Sequence, residues 1–300
     1  MNLLNNLIVG TLPLVPKQIV AKVAGRYIAG ATLSDAVKTV QQLNAIRAMA
    51  TVDVLGEDIF TKEQAIESRN ASVGVLNAIG ENNIDSNLSI KLTSLGLKID
   101  KQFCSDNTNT IIETAKVHNN FIRIDMEDRT CTNDTLEIYR TMLSRYENVG
   151  IVIQAYLHRS EKDIRALAAE KANVRLCKGI YNEPPEDAIK DRKGIQDNYL
   201  KLLRILFESG CYVGVATHDD VLINGAKKII AELSFPKERY EFQMLLGVRH
   251  ETRNSLIAEG HRLRVYVPFG KDWYGYSVRR LKENPQMAGN VFKAIFGIGQ

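Results

Sequence analysis

Eight short runs of β-branched and aliphatic residues recur along the chain, and a longer stretch with helical spacing follows each. The runs are ATVDVL (50–55), SIKLTS (89–94), FIRID (121–125), IVIQAY (151–156), VRLCK (174–178), VGVATH (213–218), FQMLL (242–246) and VYVPF (265–269). Several are apolar with little alternation, as parallel strands covered on both faces are. The segments between them read as helices: TKEQAIESRNASVGVLNAIG, TNTIIETAKVHNN, TNDTLEIYRTMLSRYE, SEKDIRALAAEKA, GIQDNYLKLLRILFESG, DDVLINGAKKIIAEL and ETRNSLIAEG. Ser160 stands where a helix N-cap belongs, and Gly210 and Gly260 where glycines just past a helix end belong. Eight strand–helix repeats are the count of a (β/α)8 barrel. An open doubly wound sheet is the alternative, but it usually carries a phosphate-binding glycine loop after its first strand. Here LGED follows that strand, and no G-x-G-x-x-G occurs.

No repeat, low-complexity tract or long linker divides the 300 residues, so one domain over 1–300 is expected. Within it, 1–49 is a helical arm that includes SDAVKTVQQLNAIRAM, 50–285 the barrel and 286–300 a tail. The 39 basic and 35 acidic residues are well mixed and leave a net charge of only +4, which argues against nucleic acid as a partner. Four cysteines, Cys104, Cys131, Cys177 and Cys211, lie far apart with no C-x-x-C. They predict reduced thiols in a cytoplasmic protein rather than a zinc site. No apolar run approaches the ~20 residues that span a bilayer. MNLLNNLIVGTLPLVP lacks a basic leader and is broken by Pro13 and Pro16, so a cleaved signal is not expected; NVFKAIFGIGQ reads as a short amphipathic docking helix.

In a (β/α)8 barrel the chemistry sits at the C-terminal ends of the strands. Those ends carry Asp53, Lys91, Asp125, Gln154, Arg175 with Lys178, Thr217 with His218, Gln243 and Tyr266. Lys91 and Arg175 interrupt apolar runs, and a charge there must meet a carboxylate, a ligand or water. A salt bridge of Lys91 with Asp125 is the plain structural reading of that pair, and His218 alone reads as a satisfied core histidine. After the last strand, Tyr276, Arg279, Arg280 and Glu283 fall within an arc of roughly 100° on one helix. Two guanidiniums at a barrel mouth suit a carboxylate or phosphate through forked hydrogen bonds. These residues alone also suit an aldolase with Lys91 or Lys178 as Schiff-base nucleophile, or a carboxylate sensor without catalysis.

YVPFG…YGYSVRRLKEN resembles the C-terminal signature of the proline dehydrogenases, flavin enzymes that begin proline breakdown. SIKLTSLG, FIRIDMED, VIQAY, VRLCKGIYNEP, ATHDD and YEFQMLLG resemble that family's segments in the same order, and the N-terminal GRYIAGATLSDAVKTVQQLNAIRAMATVDVLGED resembles its short monofunctional bacterial members. The resemblance implies a distorted (βα)8, TIM-like barrel with extra N-terminal helices and FAD held without a Rossmann fingerprint. It implies that Lys91, Arg279 and Arg280 hold the carboxylate of L-proline, and that Asp125 and Arg175 are the polar catalytic residues. Met126, Gln154, Arg175, Lys178, Gly179, Ile180, Thr217 and His218 would line the flavin, and Gln243 is grouped with them from its strand end. Tyr181, Leu245, Tyr266 and Tyr276 would wall the pyrrolidine ring, with Glu283 near its nitrogen. The implied reaction is hydride transfer to flavin N5, giving Δ1-pyrroline-5-carboxylate. Electrons would pass to a membrane quinone, so the resemblance implies a cytoplasmic protein that visits the inner face of the membrane. Functional coupling to a separate pyrroline-5-carboxylate dehydrogenase would follow. The chain departs from the family in the isoleucine of KGIY and in the length and composition of KDWYGYS, which bears on Trp273 and Tyr274.

Overall fold

In a computed structural model, residues 25–56 and 59–273 are described. Helix α1 (Leu33–Ala45) opens under a reciprocal cap in which Thr32 Oγ1 accepts from the Asp35 amide at 3.2 Å and Asp35 accepts from the Thr32 amide at 3.0 Å. Strand and helix then alternate: β1 (Met49–Val54), α2 (Lys62–Glu81), β2 (Ser86–Ile90), α3 (Lys101–Val117), β3 (Ile122–Ile124), α4 (Thr132–Leu143) and β4 (Val149–Gln154). The second half repeats the pattern with α5 (Ser160–Ala169), β5 (Asn173–Cys177), α6 (Arg192–Glu208), β6 (Tyr212–Ala216), α7 (Asp220–Glu232), β7 (Tyr240–Leu245), α8 (His250–Ala258) and β8 (Leu263–Phe269). All strand pairs are parallel, and β8 pairs with β1, so the eight strands close a barrel in chain order. The (β/α)8 expectation is met.

The strands alternate more strictly than their sequences suggest. Leu88, Ile90, Ile122, Ile124, Val174, Leu176, Val213, Val215, Phe242, Met244, Val265 and Val267 are buried in one continuous cluster with the helices. Each such side chain contributes about 1.5–3 kcal/mol of burial. The positions between them face the barrel axis, and apart from Gly214 they are polar. Register sets Asp53 beside Ser89, Ser89 beside Arg123, Gly214 beside both Arg175 and Glu241, and Gln243 beside Arg264. Arg175 on β5 reaches Ser89 on β2, which it does not neighbour in the sheet, so the two meet across the interior.

This polar lining explains where the expected boundaries miss. β2 runs Ser86–Ile90 rather than 89–94, because its first half, Ser86 and Asn87, is polar, with Asn87 turned inward. LTS falls beyond it, with a single 3-10 turn at Thr93–Leu95. β7 and β8 likewise begin earlier, at Tyr240 and Leu263, so that Glu241 and Arg264 lie within strands. α3 starts at Lys101 rather than Thr108, where Asp100 accepts from the Phe103 amide at 3.1 Å. Ser160 is not a cap: it is the first helical residue of α5, and its hydroxyl donates to the Gln154 carbonyl at 2.5 Å, tying the helix to the end of β4. Gly210 and Gly260 do follow helix ends, at φ +71° and +78°. The four cysteines are unbridged thiols, three of them buried. Among the described residues no helix is long and apolar enough to cross a membrane.

Candidate active site

Towards the C-terminal ends of the strands, β1, β2, β3, β5 and β8 bring inward side chains into one hydrogen-bonded group. Lys91, one residue past β2, donates to both oxygens of Asp53 at 2.8 Å. Arg175 donates through Nη1 to Asp125 Oδ1 at 2.8 Å and to Ser89 Oγ at 3.0 Å. The Ser89 hydroxyl donates to the same carboxylate oxygen at 3.0 Å. Tyr266 joins the two halves: its hydroxyl donates to Asp125 Oδ2 at 3.1 Å and lies 3.4 Å from Lys91 Nζ. Its ring stacks on the Arg175 guanidinium, 5.5 Å from the centroid.

The Lys91–Asp125 salt bridge expected from sequence is therefore replaced by two others. Asp53 is the carboxylate on the strand adjacent to Lys91, while Asp125 on β3 is met by the longer reach of Arg175. Asp53 was among the strand-end residues, but its part in the site was missed, as was that of Ser89. The period-two positions of ATVDV and SIK carried the signal. Burial raises the Asp53 pKa, with Lys91 opposing and Asp125 reinforcing the shift. Arg175 is almost wholly buried, and among the described residues its Nε has no hydrogen-bond partner. An orphaned guanidinium donor in such a place is costly unless something else completes it.

The ends of β4, β5 and β6 form a second group beside the first. Gln154 donates to the Glu127 carbonyl at 2.8 Å and accepts from the Ile180 amide at 3.1 Å, which fixes the turn after β5. Gly179 sits in that turn at φ +119°, and a Cβ there would fall on the Tyr156 ring. Ile180 is 43% exposed at the mouth, and Tyr181 follows it, also exposed. Lys178 Nζ lies 3.4 Å from Asp219, and Thr217 Oγ1 accepts from the Asp219 amide at 3.1 Å. His218 Nε2 accepts from the Leu245 amide at 2.9 Å, which puts the ring proton on Nδ1. Met126 is buried in the loop after β3. Gln243 turns the other way: its amide donates to Glu241 at 2.6 Å, inside the barrel. Tyr276, Arg279, Arg280 and Glu283 lie outside the described residues.

A family model described as proline dehydrogenase matches residues 36–293. Proline dehydrogenase 1 of Bacillus subtilis is 41% identical over 272 residues, covering 91% of this chain and 90% of its own. The proline dehydrogenase of Deinococcus radiodurans is 36% identical over 284 residues, covering 93% and 92%. Among solved structures, proline utilization A from Bdellovibrio bacteriovorus, inactivated by N-propargylglycine, superposes with a TM-score of 0.82 at 24% identity. That likeness covers 88% of this chain but 33% of the other, so the chain spans about a third of that protein and shares its barrel. On the extent of the family match and the identity to relatives of equal length, this chain belongs to the proline dehydrogenase family.

Proposed function

We propose that this chain oxidises L-proline to Δ1-pyrroline-5-carboxylate with FAD as its prosthetic group. The observation that carries the reading is the mouth network of Asp53, Lys91, Asp125, Arg175 and Tyr266, in a chain of this family. In this reading Lys91, with Arg279 and Arg280, binds the substrate carboxylate, and Tyr266, Tyr181, Leu245 and Tyr276 wall the ring, with Glu283 near its nitrogen. The residues around the second group fit a flavin. Arg175 Nε, without a partner among the described residues, offers a donor. Ile180 gives an exposed apolar edge. Arg175, Met126, Gln154, Lys178, Gly179, Ile180, Thr217 and His218 would hold FAD.

FAD, when bound, supplies the acceptor for the hydride lost from the ring carbon beside nitrogen. The protein's part is binding, orientation and charge. Hydride loss needs the nitrogen lone pair, so the amine must react unprotonated. Cations around the substrate carboxylate serve both ends, because they bind the carboxylate and disfavour the ammonium form. Arg175, held rigid by Asp125, Ser89 and the Tyr266 ring, is placed to stabilise negative charge without reorganising. Family membership supports onward electron transfer to a membrane quinone by a cytoplasmic protein at the inner membrane face. It likewise supports use of the imine by a separate pyrroline-5-carboxylate dehydrogenase, and a single domain over 1–300.

The purified protein is expected to be yellow and to bleach when L-proline is added without oxygen. A colourless, active preparation, or trapping of a substrate–lysine adduct by borohydride, would overturn this reading in favour of Schiff-base chemistry. Arg280→Met should raise the KM for proline at least tenfold and leave bound flavin unchanged; unaltered proline kinetics would remove the carboxylate clamp.

A further inference from the structure

At the opposite, N-terminal end of the barrel the interior opens into a cavity of about 260 Å³. Arg123, Arg264, Glu241, Asn87 and Asn173 line it, with Asp85 exposed at its rim. None of these residues belongs to the site already described.

The charges inside the barrel do not balance. Lys91 pairs with Asp53, Arg175 with Asp125 and Arg264 with Glu241. Arg123 is left over. It is 1% exposed, and among the described residues no carboxylate pairs with it. Its Nη1 donates to the carbonyls of Asn173 at 2.7 Å and Ile151 at 3.2 Å, and its Nη2 to Asn173 Oδ1 at 2.5 Å. Among the described residues its Nε has no partner, and the guanidinium lies 4.9 Å from the Phe121 ring. Gly150 makes room for it: a Cβ there would strike the guanidinium and come within 2.6 Å of the Asn173 carbonyl. Burial first, and then Arg175, push the Arg123 pKa down to about 9, with Glu241 partly opposing, so it is still cationic near neutrality.

Glu241 favours that charge through space, but no nearby carboxylate is bonded to it. Glu241 accepts from Gln243 at 2.6 Å, from Arg264 at 2.7 Å and from the Tyr212 hydroxyl at 2.8 Å, which uses both its oxygens. Asp85 is exposed to solvent, where its field is weak. The cavity does offer donors. Asn173 gives its oxygen to Arg123, and Asn87 gives its oxygen to the Thr51 hydroxyl. That turns both NH2 groups away from those bonds, and among the described residues neither donates a hydrogen bond. A buried cation with neutral acceptors only, beside two idle amide donors and an open volume, is the donor set of an anion site.

We propose that this cavity binds one small oxyanion, a short carboxylate or inorganic phosphate, with Arg123 as counter-charge and the Asn87 and Asn173 amides as donors. A water occupies about 30 Å³ of liquid, so the volume admits such an anion with a few waters. The bound anion would bind the folded protein alone and stabilise it by mass action.

The test is thermal unfolding of the full-length, flavin-loaded protein at fixed ionic strength, with a bulky aromatic sulfonate replaced stepwise by phosphate or by acetate. A saturable rise in Tm of about 5 °C at a hundredfold excess over Kd is expected for at least one of them. Which one acts distinguishes an inorganic from a carboxylate ligand. Asn173→Asp builds the missing carboxylate into the wall. It should raise Tm in sulfonate alone, flatten the response to both anions and leave the KM for proline unchanged. Asn87→Asp, which keeps the acceptor for Thr51, should flatten the response as well. Lys91→Met should retain it, since anions held at the active-site mouth would be lost with Lys91. No shift in the wild-type protein, or a full shift persisting in Asn173→Asp or Asn87→Asp, would overturn the proposal.

Discussion

Replacing Arg175 by methionine keeps the apolar stem of the side chain and removes its guanidinium and its charge. Asp125 then loses its 2.8 Å donor but keeps the Ser89 hydroxyl at 3.0 Å and the Tyr266 hydroxyl at 3.1 Å. Arg175 and Asp125 are 7% and 13% exposed, so the pair is buried rather than superficial. Cutting one partner out of such a pair costs about 3–5 kcal/mol, and the two surviving hydrogen bonds put this case near 3. For a chain of this size that is a fall in Tm of roughly 6–9 °C. The catalytic loss is separate: removing one preorganised donor slows the chemical step by about 10²–10³. Stopped-flow bleaching of the flavin at saturating proline, without oxygen, measures it directly. The double variant Arg175→Met with Asp125→Asn separates the two effects. It should recover most of the stability, because no carboxylate is left stranded, while flavin reduction stays slow. A single-turnover rate within threefold of wild type in Arg175→Met would remove Arg175 from the mechanism. Recovery of the rate in the double variant would mean that Arg175 only neutralises Asp125.

Lys91→Met should lower kcat/KM for proline by about 10–100-fold, the worth of one charged hydrogen bond, with flavin content unchanged at the visible-to-280 nm absorbance ratio. Gly179→Ala forces a side chain onto Tyr156 at a φ of +119°, so it should cost about 1–3 kcal/mol locally and show as a lowered flavin-to-protein ratio. Acid should unfold the barrel partly through Glu241: burial alone would raise its pKa, but Arg264 and its hydrogen bonds outweigh that and hold it at about 2. Its folded pKa is depressed, so its contribution of about 3 kcal/mol is present above pH ~4.5 and lost as pH falls towards 2. In Glu241→Gln that part of the acid slope should vanish from urea melts taken between pH 2 and 5, and a slope equal to wild type would refute it.

The strand count was legible because the outward half of every strand is largely apolar, and that half alone makes the apolar runs stand out. The inward half hid the starts of the strands. In I-R-I of β3 and E-F-Q-M of β7 the polar residues are the ones that face the axis. A hydrophobicity reading trims Glu241 and Arg264 away as loop, while Arg123 lay inside the run FIRID without being singled out. The upper residues were found for a different reason: they lie at strand ends, where the fold puts chemistry whatever their side chains do. Their partners were not legible. Arg175 meets Ser89 across the barrel, 86 residues away in sequence, and only the closure and stagger of the strands select that contact over Lys91 with Asp125. The interior thus gives up the apolar packing usual in such barrels for a column of ion pairs, and buried pairs add little net stability. The outer layer between strands and helices must therefore supply most of the folding energy. It follows that substitutions such as Ile151→Ala or Leu176→Ala should cost about 2–5 kcal/mol, more than neutralising any one ion pair together with its partner.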